Sequence, residues 1–248
     1  MLQREELLVF SGVEKSFGRQ KALHNVSFTI SAGQFSVLVG PTSSGKTTIL
    51  RLSTGVDSPA RGSVLLQGRD VRSNHVFALA RMGTVFGDTG LDRSRSVRSN
   101  LRFAASIYGV RPKSAEARIA ALLVRFDLTA KQHDNVGSLG EIGQRLIAVA
   151  QAVIHGPRLL LIDAIAHGLD PDARSELAER ITRLCTDEEM AVLWASEQAD
   201  HASTAAKLIV LGRGQVLFDG SPTALLSDTR RDSLSAAVSA LVEEQATH

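Results

Sequence analysis

The sequence predicts an α/β protein built on a largely parallel sheet, with antiparallel strands at its start and a helical insert. Strand and helix patterns alternate along most of the chain, which is typical of parallel sheets. Between about residues 96 and 156 the strand patterns stop, and three helical patterns follow, beginning near Ser96, Ser114 and Gly140. We therefore expect a sheet assembled from segments on both sides of this insert.

The opening segment, residues 7–31, shows a pattern typical of antiparallel strands. Val26, Phe28 and Ile30 alternate with polar residues, as in a strand with one buried and one solvated face. The next apolar run, residues 35–39, is short and continuous. We predict a buried strand there.

The sheet resumes after the insert, and a helical tail ends the chain. The predicted elements are a strand over 159–163, a helix from Pro171 to about Thr186, a strand over 191–195 and a hairpin over 207–218 that turns through Gly212-Arg-Gly214. From Ser233 onward, apolar residues recur at helical spacing. We expect a docked surface helix there and not a membrane anchor, since the segment is short and its other face is only mildly polar.

Composition excludes several function classes for these 248 residues. The longest apolar stretches are a few residues long, whereas a membrane-spanning helix needs roughly 20. A formal charge of +2 with interspersed signs gives no basic stripe, so we expect no nucleic-acid partner. The acidic N-terminus does not resemble a secretory signal, and the single Cys185 fits a reducing cytosol.

One motif lies between the strand predicted over 35–39 and a helix predicted over 47–52. It matches G-x-x-x-x-G-K-[ST], in which glycines let successive N–H groups point at one polyphosphate. Lys46 adds a charge for the β- and γ-phosphates, and the Thr47 hydroxyl is placed to ligate Mg²⁺. A glycine-rich turn that matches by chance is the alternative, which the register of strand, motif and helix disfavours. The predicted phosphate-binding residues are Gly40, Pro41, Thr42, Ser43, Ser44, Gly45, Lys46, Thr47 and Thr48.

A second acidic position accompanies this phosphate-binding loop (P-loop). The apolar strand over 159–163 ends in Asp163. In P-loop proteins such an acid holds Mg²⁺. We predict Thr47 and Asp163 as the metal-binding residues; the alternative, a solvated strand end, is disfavoured by the pairing with the P-loop.

Further segments make the chain resemble the ATP-binding cassette subunit of an ABC transporter over nearly its whole length. Residues 13–18 resemble the segment whose aromatic residue stacks on adenine, which makes Phe17 the candidate base platform. Residues 22–30 resemble the strand before the P-loop, and residues 168–171 resemble the D-loop, which crosses the dimer interface in the family. Residues 96–109 are similar to a helix of cassettes of the drug- and Nod-factor-export type. These cassettes work with a separate permease subunit.

The resemblance implies a domain organisation. We expect an ABC transporter ATP-binding domain over residues 1–230. Its P-loop NTPase (RecA-like) core, with an antiparallel β subdomain, would comprise residues 1–87 and 158–230. An α-helical subdomain would cover 88–157, and a C-terminal helical tail 231–248.

The chain departs from the family's pattern at four phosphate-facing positions. Ala164 stands where the family has the Glu that polarises the attacking water, and Glu197 stands where it has a His that reaches the γ-phosphate. Gly87 replaces the Gln of the Q-loop. In place of the L-S-G-G-Q signature, which clamps the nucleotide of the other subunit, residues 139–143 contain no Ser and carry a Glu. Placing Ser138 in the serine role would require an insertion in the following helix.

Three residues near these positions invite alternative interpretations. His167 as a replacement base is disfavoured; an exposed loop residue is the better interpretation. Glu197 is a better candidate to replace the missing water-polarising Glu. Its loop, however, faces the γ-phosphate from the wrong side for a simple replacement. Trp194, in a predicted central strand, is interpreted as a core residue and not as a ligand contact.

The combined expectation is a Mg·ATP-binding subunit with impaired hydrolysis, and with no catalytic residue assigned. It would act as a homodimer or heterodimer with another cassette and with a transmembrane permease, at the cytoplasmic face of the membrane. One alternative is an active transporter ATPase with substitute residues. Another is a soluble cassette protein acting on DNA or the ribosome, which the single cassette and the missing coiled-coil arm and basic patch disfavour. The permease would choose the substrate.

Overall fold

The computed structural model describes residues 5–87 and 90–247, and it has the mixed α/β architecture that the sequence predicts. Its elements, in chain order, are β1 (Glu6–Phe17), β2 (Gln20–Ser31), β3 (Phe35–Val39), α1 (Lys46–Ser53), β4 (Arg61–Leu66), β5 (Arg69–Asp70), α2 (His75–Leu79), β6 (Met82–Phe86), α3 (Val97–Ile107), α4 (Pro112–Arg125), a short 3₁₀ helix (Val136–Ser138), α5 (Glu141–Val153), β7 (Leu159–Asp163), α6 (Pro171–Glu188), β8 (Ala191–Ser196), a second 3₁₀ helix (Asp200–Thr204), β9 (Lys207–Gly212), β10 (Gln215–Gly220), α7 (Pro222–Thr229) and α8 (Leu234–Thr247).

A four-stranded antiparallel sheet, in the order β2-β1-β4-β5, holds the opening segment. Val26, Phe28 and Ile30 are buried, which confirms the alternation inferred from sequence. Strands β4 and β5 were not predicted from the sequence. Gly62 within β4 has φ 78°, and a Cβ there would lie 2.4 Å from the Ser11 carbonyl oxygen. Long-range pairing therefore holds this segment as a strand although its local pattern is weak.

The second sheet has six strands in the order β10-β9-β3-β8-β7-β6. All its pairings are parallel except that of β9 with β10. Every residue of β3 is buried, and β7 and β8 are buried up to their last residues. The predicted strands over 35–39, 159–163 and 191–195 are confirmed, and so is the hairpin turn at Gly212-Arg-Gly214. Apolar residues cover both faces of this sheet, as expected for parallel strands.

Three helices, α3, α4 and α5, form the insert between β6 and β7. The side chain of buried Asn100 fixes the approach to α3, because it accepts a hydrogen bond from the Asp92 N–H at 3.0 Å and donates to the carbonyl oxygens of Asp92 and Ser96. Short helices α2 and α7 were not predicted. The tail forms α8 as predicted, and Leu234, Ala237 and Val238 of the tail pack into the core. Among the described residues, none of the helices is both long and apolar enough to cross a bilayer.

The contact between β6 and α5 yields a stability prediction. A Cβ at Gly83 would lie 2.2 Å from the Ala152 carbonyl oxygen, whereas one at Gly87 would meet nothing within 4 Å. We expect Gly83→Ala to lower the free energy of unfolding by about 1–3 kcal/mol through overpacking. The matched Gly87→Ala change should alter it by less than about 0.5 kcal/mol. Urea denaturation of both variants measures the difference, and equal midpoints would contradict the packing described.

Candidate functional site

A cleft of about 900 Å³ opens at the carboxyl ends of β3, β7 and β8. Parallel pairing places Val39 beside Ser196, and Asp163 beside Ala195, so the loops that follow these three strands meet at one edge. Ligands bind at this edge of parallel sheets. The turn between β1 and β2 and the turn between β9 and β10 close the sides of the cleft.

The loop between β3 and α1 is held in a curled conformation by its packing. A Cβ at Gly40 would lie 2.1 Å from the Leu211 carbonyl oxygen. Gly45 has φ 110°, and a Cβ there would lie 2.7 Å from Leu23 Cδ2. The Gly214 N–H donates a 2.9 Å hydrogen bond to the Ser44 carbonyl oxygen. The loop is therefore preformed, and α1 begins directly after it with its N–H groups facing the cleft.

Lys46 lies across the base of this loop. Its Nζ donates 2.8 Å hydrogen bonds to the carbonyl oxygens of Gly40 and Pro41, and the residue is only 8% exposed. Burial lowers the pKa of the ammonium group, while the carboxylates of Glu197 and Asp163 act in the opposite direction. Lys46 is thus a desolvated cation with two acids nearby.

The two predicted metal-binding residues, 116 positions apart in sequence, contact each other. The Thr47 hydroxyl donates a 2.8 Å hydrogen bond to Asp163 Oδ2. Hydroxyl and carboxylate oxygens are the ligand types that Mg²⁺ accepts, with water and phosphate oxygens completing its shell. In the described part of the chain, no group of three or more His, Cys, Asp or Glu residues could hold a metal ion by itself. The pair therefore fits a cation that arrives with a polyphosphate.

Phe17 stands at the outer rim of the cleft, at the end of β1. Its ring is 48% exposed, and the Lys15 ammonium lies 4.9 Å from the ring centroid. An exposed ring at a cleft mouth offers a stacking surface for a planar base.

The four departures are not all in this cleft. Ala164 is exposed and lines it, with φ 54°, and Glu197 lines it from the end of β8. Gly87 follows β6 outside the lining. Glu141 begins α5 and lines a separate cleft together with residues 168–170.

His167 and Ser138, two alternatives that the sequence raises, lie in different places. His167 is exposed in the loop after β7, as predicted, and it lines the cleft; its N–H donates to the Ala164 carbonyl oxygen at 3.1 Å. Ser138 lies in the first 3₁₀ helix, where its hydroxyl donates to the Asn135 carbonyl oxygen at 2.8 Å.

Sequence patterns did not indicate several polar features around the cleft. The Thr42 hydroxyl donates a 2.8 Å hydrogen bond to Glu197 Oε1. Buried Arg174 donates to the Leu169 carbonyl oxygen at 2.8 Å and is paired with Asp200. Arg213 reaches the rim from the β9–β10 turn. Strand order brings Glu197 and Arg213 to the P-loop, so no local pattern in the sequence indicates their approach.

Trp194 is fully buried in β8, as predicted, and packs edge-on against Phe35. His201 lies beside it, with ring centroids 4.6 Å apart, and is also buried. Burial lowers the pKa of His201 from 6.5 to about 4; Asp200 acts in the opposite direction, and Arg174 lowers it further. The ring is therefore neutral at pH 7.

Comparison with known proteins gives a family and close relatives. A family model described as "ABC transporter" matches residues 23–166. The chain is 32% identical over 218 residues to "Nod factor export ATP-binding protein I" of Rhizobium sp. (strain N33), covering 88% of this chain and 72% of that protein. A protein of the same name from Burkholderia lata is 31% identical, with 88% and 71% covered.

Solved structures share the fold at lower sequence identity. A chain described as cbiO1 from Clostridium perfringens, part of the ABC transporter complex cbiONQ, superimposes with a TM-score of 0.84 at 20% identity, covering 90% of this chain and 92% of that one. The ADP conformation of MJ1267, described as an ATP-binding cassette of an ABC transporter, gives 0.79 at 19% identity, with 94% and 98% covered.

The contacts of Lys46 yield a binding prediction. Lys46→Ala removes the cation at the base of the loop, so we expect nucleotide affinity to fall by about tenfold or more. The control is Lys21→Ala, which removes a cleft-lining lysine that pairs at the surface with Glu14 at 3.3 Å. Calorimetric titration with Mg·ADP and Mg·ATP checks both variants. Unchanged affinity of Lys46→Ala would show that the loop is not a phosphate site.

Burial of His201 yields a pH prediction. The folded-state pKa lies below the unfolded value of 6.5, so as pH falls the unfolded chain takes up the proton first. The stabilising contribution is complete above about pH 6.5 and is lost progressively towards pH 4. Between pH 7 and pH 5 the wild type should lose about 2 kcal/mol more than His201→Phe. Denaturation curves at both pH values measure this. Exposed His133→Phe should keep the wild-type loss, and an equal loss in His201→Phe would contradict the assignment.

Proposed function

This chain belongs to the ABC transporter family as an ATP-binding subunit, and on that premise we propose that it binds Mg·ATP but hydrolyses it poorly. It would act in a dimer of cassettes attached to a membrane permease, at the cytoplasmic face of the membrane. The observation that carries the proposal is a difference between two parts of the cleft, the part expected to bind the nucleotide and the part expected to cleave it. The residues proposed to bind phosphate and metal lie together, whereas the residue at the position expected to activate water, Ala164, has only a methyl side chain.

The binding half of the proposal rests on three contacts. Lys46 is held at the base of the curled loop, Thr47 and Asp163 form an oxygen pair for Mg²⁺, and Phe17 is exposed at the rim as a base platform. The ion supplies charge neutralisation and orientation of the phosphates when bound. The preformed loop supplies N–H donors without an ordering cost at the moment of binding. We assign the predicted residues from Gly40 to Thr48 to the phosphates.

The expectation of poor hydrolysis rests on the side chains that line the cleft. The side chain of Ala164, directly after β7, carries no proton acceptor. The carboxylates among the lining residues are Asp163, which is engaged by Thr47, and Glu197, which is engaged by Thr42. Loss of a general base costs about 10²- to 10⁴-fold in rate, and loss of a donor to the developing charge costs a similar factor. Two such losses leave little turnover.

A permease partner is supported by an exposed apolar surface. Val76 is 85% exposed and Leu79 50% on α2, while Phe103 and Ile107 lie exposed one turn apart on α3. The ends of the two helices border one cleft, which Ala80 and Tyr108 both line. Exposed apolar surface of this kind marks an interaction site, and the relatives are export ATP-binding proteins by name. We propose that an apolar segment of the permease covers this surface.

A second cassette is supported by a separate cleft on the molecule. Residues 139–143, at the start of α5, and residues 168–170, before α6, line it together. In the family the first segment clamps the nucleotide of the other subunit, and the second crosses the dimer interface. Glu141 in this cleft places a carboxylate where a phosphate would approach, so we propose that this chain also serves its partner's site poorly.

Phosphate release from the purified chain tests the proposal. With saturating Mg·ATP we expect release far below the roughly 10 s⁻¹ typical of enzymes, and no further decrease in Lys46→Ala. Nucleotide binding measured on the same sample shows that the site is intact. Release of several phosphates per second that Lys46→Ala abolishes would overturn the proposal in favour of an active ATPase with substitute residues.

A further inference from the structure

Glu197 lies at one end of the P-loop, where the parallel pairing of β3 and β8 places it. Val39 pairs with Ser196, and the Gly40 N–H donates to the Ser196 carbonyl oxygen at 3.3 Å. The next residue, Glu197, accepts the 2.8 Å hydrogen bond from the Thr42 hydroxyl. A carboxylate therefore lies at the Gly40–Thr42 end of the P-loop.

The terminal phosphate of a bound nucleoside triphosphate would lie at this end of the P-loop. Lys46 Nζ rests on the carbonyl oxygens of Gly40 and Pro41, and the lysine of a P-loop serves the β- and γ-phosphates. The Glu197 carboxylate lies at the same end of the loop, where it accepts the Thr42 hydrogen bond. It thus lies near the position of a third phosphate, whereas the α- and β-phosphates lie against the N–H groups of the loop and of α1.

The local charges distinguish a diphosphate from a triphosphate. Lys46 is influenced by two carboxylates, Asp163 and Glu197. Asp163 is engaged by Thr47 in the metal position, whereas Glu197 lies at the other end of the loop and is engaged by the neutral Thr42 hydroxyl. A diphosphate leaves the Thr42–Glu197 hydrogen bond in place. A third phosphate brings further negative charge to the carboxylate and must displace it from Thr42, which is unfavourable at short range.

We propose that Glu197 makes this site select against the terminal phosphate, so that the chain binds Mg·ADP more tightly than Mg·ATP. Glu197 is then a specificity-determining residue, and the occupancy of the site follows the ratio of the two nucleotides. This inference rests on the proposed function, since it requires that the cleft bind a nucleotide.

Calorimetric titration of the full chain with Mg·ADP and with Mg·ATP tests it. In the wild type we expect Mg·ADP to bind about tenfold more tightly, since two negative charges a few ångströms apart repel each other. Glu197→Gln keeps an oxygen acceptor for Thr42 and removes the charge. It should strengthen Mg·ATP binding, leave Mg·ADP binding nearly unchanged and bring the two affinities within about threefold. Glu179→Gln, at an exposed carboxylate on α6 outside the cleft, should keep the wild-type preference.

The outcomes separate the two proposals. If the wild type binds both nucleotides but Mg·ATP as tightly as Mg·ADP, or if Glu197→Gln keeps the full preference for Mg·ADP, the inference about Glu197 is wrong and the proposed nucleotide site stands. If the wild type binds neither nucleotide, the proposed function is wrong and the inference falls with it. The wild-type comparison needs no variant, so a folding defect in Glu197→Gln would not obscure the result.

Discussion

The order of three buried parallel strands, β3-β8-β7, is the constraint on which the cleft depends. Each strand ends at the same edge of the sheet, so their following loops, far apart in sequence, converge there. The register sets Asp163 level with Ala195, and Ser196 level with Val39. The hydrogen bonds from Thr47 to Asp163 and from Thr42 to Glu197 are consequences of that register. A slip of one residue would turn alternate side chains to the opposite face and separate both pairs.

Local sequence patterns were sufficient for much of the fold. Alternation at Val26, Phe28 and Ile30 indicated a half-buried strand, and continuous apolar runs indicated β3, β7 and β8, because burial dictates these residue types directly. The strand β4 was not predicted, since Gly62 breaks its pattern and its partner β1 lies about fifty residues earlier. Helices α2 and α7, of five and eight residues, are too short for a helical period to be recognised.

The candidate site, like the fold, was only partly predictable from local sequence patterns. The P-loop and Asp163 were predictable because a motif and a strand end signal them locally, and the structure brings Thr47 and Asp163 into contact. Their roles in nucleotide and metal binding remain proposals. The Thr42–Glu197 contact and the approach of Arg213 depend on which strands are neighbours. Position in the chain gave no indication that the β9–β10 turn would support the P-loop through the Gly214–Ser44 hydrogen bond.

The packing also determines which residues give information about function. Gly40 and Gly45 are required by the backbone of β9 and the side chain of Leu23, so the fold would demand them even without a ligand. Ala164 and Glu197 are exposed at loop positions, where a different side chain costs the fold little, so water-activating groups could be lost there without loss of structure. Lys46, a buried cation, and the Thr47–Asp163 pair are therefore the features that favour retained nucleotide binding. Burial lowers the pKa of Lys46, which shows that desolvating its charge is unfavourable, and a polyphosphate would offset that cost.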